Sequence, residues 1–144
     1  MRYLDTSLIV AAFTNEQGTV AAQGVLRAAE DDPLAISDWV VTETAAGLSR
    51  KVRERRLGTR DRRNAWTAFN TMVESTFVVL TVIPANFRAA AELVSDPETT
   101  LRSGDALHLA IAAAAGATVY TLDRGMSAAA SRLQIPAVLA GGRD

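Results

Sequence analysis

The chain has no cysteine, one histidine and one lysine. Without cysteine it can build neither a disulfide framework nor a thiolate zinc site. With His108 as its only imidazole, a metal site made of several histidines from one chain is excluded too. No apolar run is long enough to span a bilayer, and the first residues lack a signal-peptide pattern. A soluble, cytoplasmic protein with no membrane partner is the expectation.

What remains is ample for a folded domain. The 144 residues match the size of one domain, and 49% of them are hydrophobic, enough for a core. Residues 1–140 read as that domain, with 141–144 as a loose tail. Alanine is abundant, which favours helices. The net charge is only -1, but it is unevenly spread. From Arg50 to Arg63 eight cations face two anions, a net +6, so the rest of the chain carries -7. A basic patch on an otherwise acidic chain suits a phosphate-backbone ligand. A solvated helical hairpin tip accounts for the run equally well.

Short apolar runs alternate with helical patterns. Strands are expected at Tyr3–Asp5, Leu34–Ile36, Phe77–Ile83 and Val119–Leu122, with a further edge strand at Ala137–Leu139. The β-branched run Phe77–Ile83 reads as a buried strand. Helices are expected over Ser7–Phe13, Thr19–Glu30, Ser37 or Asp38 to Arg56, Thr59–Ser75, Pro84–Ser95, Ser103–Ala115 and Arg124–Leu133. Gly116 closes the helix that Ser103 caps. This order implies a parallel sheet of four or five strands covered by helices on both faces.

Four acidic residues fall where such a sheet would gather them. Asp5 and Asp123 each end a strand, and the two strands should be neighbours. Asp105 opens a helix, and Glu43 lies within one. Ligands of open α/β sheets bind beyond the carboxyl ends of the strands. Singly, each acid has a plainer account: Asp5 a helix cap, Glu43 an exposed helix residue, Asp105 a carboxylate favoured by the positive helix end, Asp123 an Asx-type turn. Together they would repel one another and need a cation, which for oxygen donors means Mg²⁺ or Mn²⁺.

The segments Tyr3-Leu4-Asp5-Thr6-Ser7, Thr42-Glu43, Leu101-Arg102-Ser103-Gly104-Asp105-Ala106-Leu107-His108-Leu109-Ala110 and Thr121-Leu122-Asp123 resemble the motifs of the PIN-domain family. The likeness is closest to its VapC-type toxin ribonucleases and spans nearly the whole chain. The resemblance implies a PIN-like three-layer α/β/α sandwich and a metal-dependent endoribonuclease acting on structured RNA such as tRNA or rRNA. It implies a homodimer restrained by a VapB-like antitoxin, and it makes Asp5, Glu43, Asp105 and Asp123 the catalytic acids.

The chemistry agrees. A chain without a histidine pair or a nucleophile–base set needs hydrated Mg²⁺ to activate water and offset charge on the phosphate. Asp5 and Asp105 are expected as direct ligands, Asp123 as a ligand for a second ion, and Glu43 as the group that orients water. Thr6, Ser7 and Thr121 stand beside the acids in supporting roles. Arg50, Lys51, Arg53, Arg55, Arg56 and Arg102 are the candidates for RNA contact. His108 is expected to be buried and bonded to backbone, and Trp39 and Trp66 to pack in the core or an interface.

Other readings fit less well. A haloacid-dehalogenase-like phosphatase needs a second aspartate where Ser7 stands. A response-regulator receiver needs a lysine late in the chain, and Lys51 is the only one. The remaining alternative is a non-catalytic RNA- or partner-binding module that acts in a toxin–antitoxin repressor complex.

Overall fold

Strands and helices alternate along the chain as the apolar patterning requires, and the strands pair into one parallel sheet. The computed structural model describes residues 1–29 and 32–142. The strands are β1 (Arg2–Leu4), β2 (Leu34–Ser37), β3 (Val78–Leu80), β4 (Thr118–Thr121) and β5 (Ala137–Leu139). The helices are α1 (Thr6–Phe13), α2 (Thr19–Arg27), α3 (Asp38–Arg53), α4 (Thr59–Ser75), α5 (Pro84–Val94), α6 (Ser103–Ala114) and α7 (Arg124–Arg132). With helices flanking the sheet, this is the three-layer α/β/α arrangement anticipated above.

The strand order is β3-β2-β1-β4-β5. The chain builds outward from β1 to one edge, then returns to place β4 on the other side of β1. The order therefore reverses between β1 and β4, where Tyr3 pairs with Val119 and Leu4 with Tyr120. In open parallel sheets this reversal opens a crevice at the carboxyl ends of the strands. Asp5 follows β1 directly, and Asp123 stands two residues past β4.

The core forms around the central strands. Tyr3, Leu4, Ala35, Ile36 and Val119 are fully buried, as are Leu8 and Ile9 of α1. Helix α6 is buried along Ala106–Ala112, an almost unbroken apolar run packed against α5. Its small residues permit that close approach. Among the described residues, no helix is long and apolar enough to cross a membrane.

Several local expectations change. The run Phe77–Ile83 yields only the three-residue β3, which lies at a sheet edge with Val78 45% and Val79 37% exposed. Its β-branched residues do favour a strand, but an edge position leaves that strand partner on one side only. Helix α3 stops at Arg53 rather than Arg56. Arg55 adopts a left-handed φ of 56°, and the amides of Arg55 and Arg56 return to the carbonyls of Val52 and Lys51. That pattern is a Schellman closure, here with arginine where glycine is usual. Helix α6 is capped not by Ser103 but at Arg102, whose backbone N–H donates to Asp105 Oδ2 at 3.2 Å. Helix α2 ends at Arg27. Glu30 and Asp31 lie outside the described residues, as do Arg143 and Asp144 of the expected tail.

Candidate active site

Each acidic side chain is delivered by a different segment. Asp5 caps α1, accepting the Leu8 N–H on Oδ1 at 2.9 Å. It is 3% exposed and receives two further donors. Ser7 Oγ lies 2.9 Å from both carboxylate oxygens, and Thr121 Oγ1 donates to Oδ2 at 2.7 Å. Ser7 Oγ also accepts the Leu122 N–H, and Thr121 Oγ1 accepts the Asp123 N–H. These two hydroxyls thus stitch the end of β1 to the end of β4.

Asp123 caps α7 through the Met126 N–H at 2.9 Å. Asp105 reaches back from the first turn of α6 to Arg102. Glu43 projects from α3, and its Oε2 accepts Thr6 Oγ1 at 2.5 Å and His108 Nε2 at 2.7 Å. The capping role foreseen for Asp5 is therefore real, Asp123 caps α7 where an Asx-type turn was expected, and both roles coexist with a shared location. Asp5, Glu43, Asp105 and Asp123 all line one cleft of about 500 Å³.

The electrostatics separate the acids. Burial pushes the Asp5 carboxyl above its ordinary range, against the pull of His108 and of its hydrogen-bond donors. Burial also raises Asp105, and the charge of Asp123 adds to it. For Glu43, burial acts upward but is outweighed by hydrogen bonds from His108 and Thr6, leaving it below the usual range. Two of the acids thus resist ionisation in the absence of a cation, while Glu43 is kept as a carboxylate.

The donor set is all oxygen, hard and anionic, which suits Mg²⁺ or Mn²⁺. The side chains do not yet converge on one point. Among the described residues, no three His, Asp or Glu groups stand close enough together to hold an ion. Asp5, with donors on both oxygens, is the most firmly held.

The expected basic residues divide. Arg50, Lys51 and Arg53 line the same cleft as the acids. Arg55 and Arg56 instead line a separate depression against Phe13, Thr14 and the start of α4. Arg102 lines neither, although its backbone holds Asp105. Lys51 is engaged with Glu16, from the α1–α2 connection, in an ion pair at the cleft wall. Nothing in the local sequence around Glu16 marks it for that place.

His108 is buried, as expected, but its partners are side chains and not backbone. Its Nδ1 lies 2.9 Å from Tyr3 Oη and its Nε2 binds Glu43. The readable signal was its position one turn after Asp105, on the same helical face. Trp66 packs on Phe69 with ring centroids 5.7 Å apart. Trp39 packs against the core, and its buried indole N–H has no hydrogen-bond partner among the described residues.

A parallel sheet whose strand order reverses beside a cleft lined by four carboxylates defines an open three-layer α/β protein with an acidic pocket at its strand ends. The model of the PIN domain matches residues 2–131, and the chain belongs to that family. Comparison with curated proteins gives no match. Solved structures share the fold. VapC20 of Mycobacterium tuberculosis, described as a Sarcin-Ricin loop cleaving toxin, superposes with a TM-score of 0.72 at 23% identity, covering 90% of this chain and 95% of that one. VapBC2 of Rickettsia felis, bound to a DNA fragment from its promoter, gives 0.68 at 19% identity, covering 96% and 98%. A toxin–antitoxin complex of Klebsiella pneumoniae gives 0.58 at 22% identity, covering 85% and 87%.

Proposed function

We propose that the protein is a divalent-metal-dependent endoribonuclease toxin that cleaves structured RNA of the tRNA or rRNA class and is restrained by an antitoxin. The observation that carries this reading is that Asp5, Glu43, Asp105 and Asp123, from four separate segments, line one cleft together with Arg50, Lys51 and Arg53. Family membership and the likeness to toxin folds support it.

Asp5, Asp105 and Asp123 would hold Mg²⁺ or Mn²⁺. Such an ion, when bound, supplies an activated water and charge compensation for the phosphate. Glu43 accepts the proton as the water oxygen bonds to phosphorus and the bond to the leaving oxygen breaks. The leaving oxygen takes its proton from solvent. Ser7 and Thr121 keep Asp5 in place, and Thr6 does so for Glu43. Arg50 and Arg53 bind phosphates flanking the scissile one. A homodimer is the assembly we expect, with the antitoxin approaching the same cleft.

The reading is tested by incubating structured RNA with purified, antitoxin-free protein in Mg²⁺, in Mn²⁺ and in EDTA, beside Asp5→Asn. Discrete products that need metal and vanish in the variant are expected. Cleavage that persists in EDTA or in Asp5→Asn would sink it. The alternative reading is a non-catalytic RNA- or partner-binding module that acts in a toxin–antitoxin repressor complex. RNA binding with no cleavage under any metal would select that alternative.

A further inference from the structure

Glu43 is held by one oxygen only. Its Oε2 accepts both Thr6 Oγ1 and His108 Nε2, while Oε1 has no hydrogen bond among the described residues. That second oxygen lies over Gly104, where an added Cβ would come within 3.1 Å of it. Behind the imidazole runs a buried chain of hydroxyls. Tyr3 Oη is 2.9 Å from His108 Nδ1 and 2.8 Å from Ser37 Oγ. An ionised Glu43 can only accept, so Nε2 must carry a proton. A neutral ring then leaves Nδ1 to accept the Tyr3 O–H, and Tyr3 accepts the Ser37 O–H in turn. The donors run one way, from Ser37 through Tyr3 and His108 to Glu43. A leucine among Leu107 and Leu109 would fill that buried position without needing any polar partner. Satisfied polar networks of this kind rigidify the groups at their ends.

We propose that His108 is a positioning residue, clamping one carboxylate oxygen of Glu43 together with Thr6, while Gly104 leaves room for the other oxygen to take a proton from water. The catalytic consequence rests on the hydrolase reading above; the clamp itself does not.

The single histidine makes the clamp directly observable, because untagged protein gives one set of imidazole signals. In ¹⁵N-labelled wild type near neutral pH, the Nε2–H tautomer with a slowly exchanging proton is expected. Glu43→Ala should speed that exchange, and Tyr3→Phe, which removes the O–H that Nδ1 accepts, should shift the Nδ1 resonance while the proton stays on Nε2. An Nδ1–H tautomer, or exchange at Nε2 indifferent to Glu43→Ala, would overturn the proposal. In RNA cleavage, His108→Ala should lower kcat by roughly ten- to a hundredfold with little change in KM, the range seen for residues that orient functional groups. His108→Gln can place an N–H near the Nε2 position and should restore most of the loss. Gly104→Ala should also lower kcat. A loss in His108→Ala that falls on KM, or that Gln does not relieve, would count against positioning. If wild type cleaves no RNA, the hydrolase reading fails while the spectrum still decides the clamp.

Discussion

Thr121 Oγ1 donates to Asp5 Oδ2 at 2.7 Å while accepting the N–H of Asp123 at 2.8 Å, so a single buried hydroxyl joins the acid after β1 to the acid after β4. Thr121→Val keeps the shape and deletes both bonds. One was a hydrogen bond to a charged group, a kind that contributes about 1.5–3 kcal/mol. Denaturant unfolding should show a loss of about 2 kcal/mol for Thr121→Val, against near-wild-type stability for Thr121→Ser. RNA cleavage should fall in parallel, because Asp5 is then held by Ser7 and the Leu8 N–H alone and loses its direct tie to the end of β4. Equal stability of the valine and serine variants would mean that the hydroxyl contributes packing alone.

Arg55 closes α3 with a φ of 56°, a left-handed conformation that disfavours any side chain with a Cβ. Glycine adopts it without that penalty, and the surrounding Schellman bonds come from backbone and would persist. Arg55→Gly should therefore stabilise the protein by about 1 kcal/mol, read as a rise in melting temperature of a few degrees. A lower melting temperature would mean that the arginine side chain contributes more than its strain costs.

Much of this architecture was legible because it is encoded locally. A strand that ends in an acid, twice, together with a βα alternation, is enough to place Asp5 and Asp123 at one end of a parallel sheet. The Gly-Asp-Ala-Leu-His stretch placed Asp105 at the start of a helix. What stayed hidden depends on packing between distant segments. Residues 77–83 show strand propensity but not the edge position that exposes Val78. The sequence near His108 shows a buried helical face but not that Tyr3, 105 residues away, meets it. Glu16 lies in a turn-like segment, and only folding brings it against Lys51. Likewise, eight cations in one run look like one patch until the end of α3 sends Arg53 and Arg55 to different sides.

That division of the basic run makes a prediction for RNA binding. Arg50 and Arg53 line the acidic cleft, whereas Arg55 and Arg56 do not. The double variant Arg50→Gln, Arg53→Gln should weaken RNA binding and reduce the log–log salt slope by about 0.7 per lost single-strand phosphate contact. Arg55→Gln with Arg56→Gln should leave the slope nearly unchanged. Equal flattening by both pairs in a salt titration would show that RNA crosses both faces of the hairpin tip.

The acids at the sheet end also set the pH response of the metal-free protein. Burial raises Asp5, and burial with the neighbouring Asp123 charge raises Asp105, so the folded state holds these protons more tightly than the unfolded chain. Stability must then fall as pH climbs from the ordinary carboxylate range through the raised values. Glu43 and Asp32 have the opposite sign. Their folded values are lowered, Glu43 by its His108 and Thr6 bonds despite burial, and Asp32 chiefly by its bond to the N-terminal amine. Their contribution is present above the ordinary range and is lost as pH drops below it. Without metal, the melting temperature should peak in mildly acidic solution and decline toward neutrality. Asp5→Asn removes the most deeply buried of the four charges, so it should flatten that decline and melt higher than wild type at neutral pH. Added Mg²⁺ should raise the wild-type melting temperature more at neutral than at acidic pH, since binding needs deprotonated carboxylates, and should do little for Asp5→Asn. A metal-free wild type that is most stable at neutral pH, or an Asp5→Asn protein that melts lower there, would show that the Asp5 charge is already well compensated by Ser7, Thr121 and the Leu8 amide.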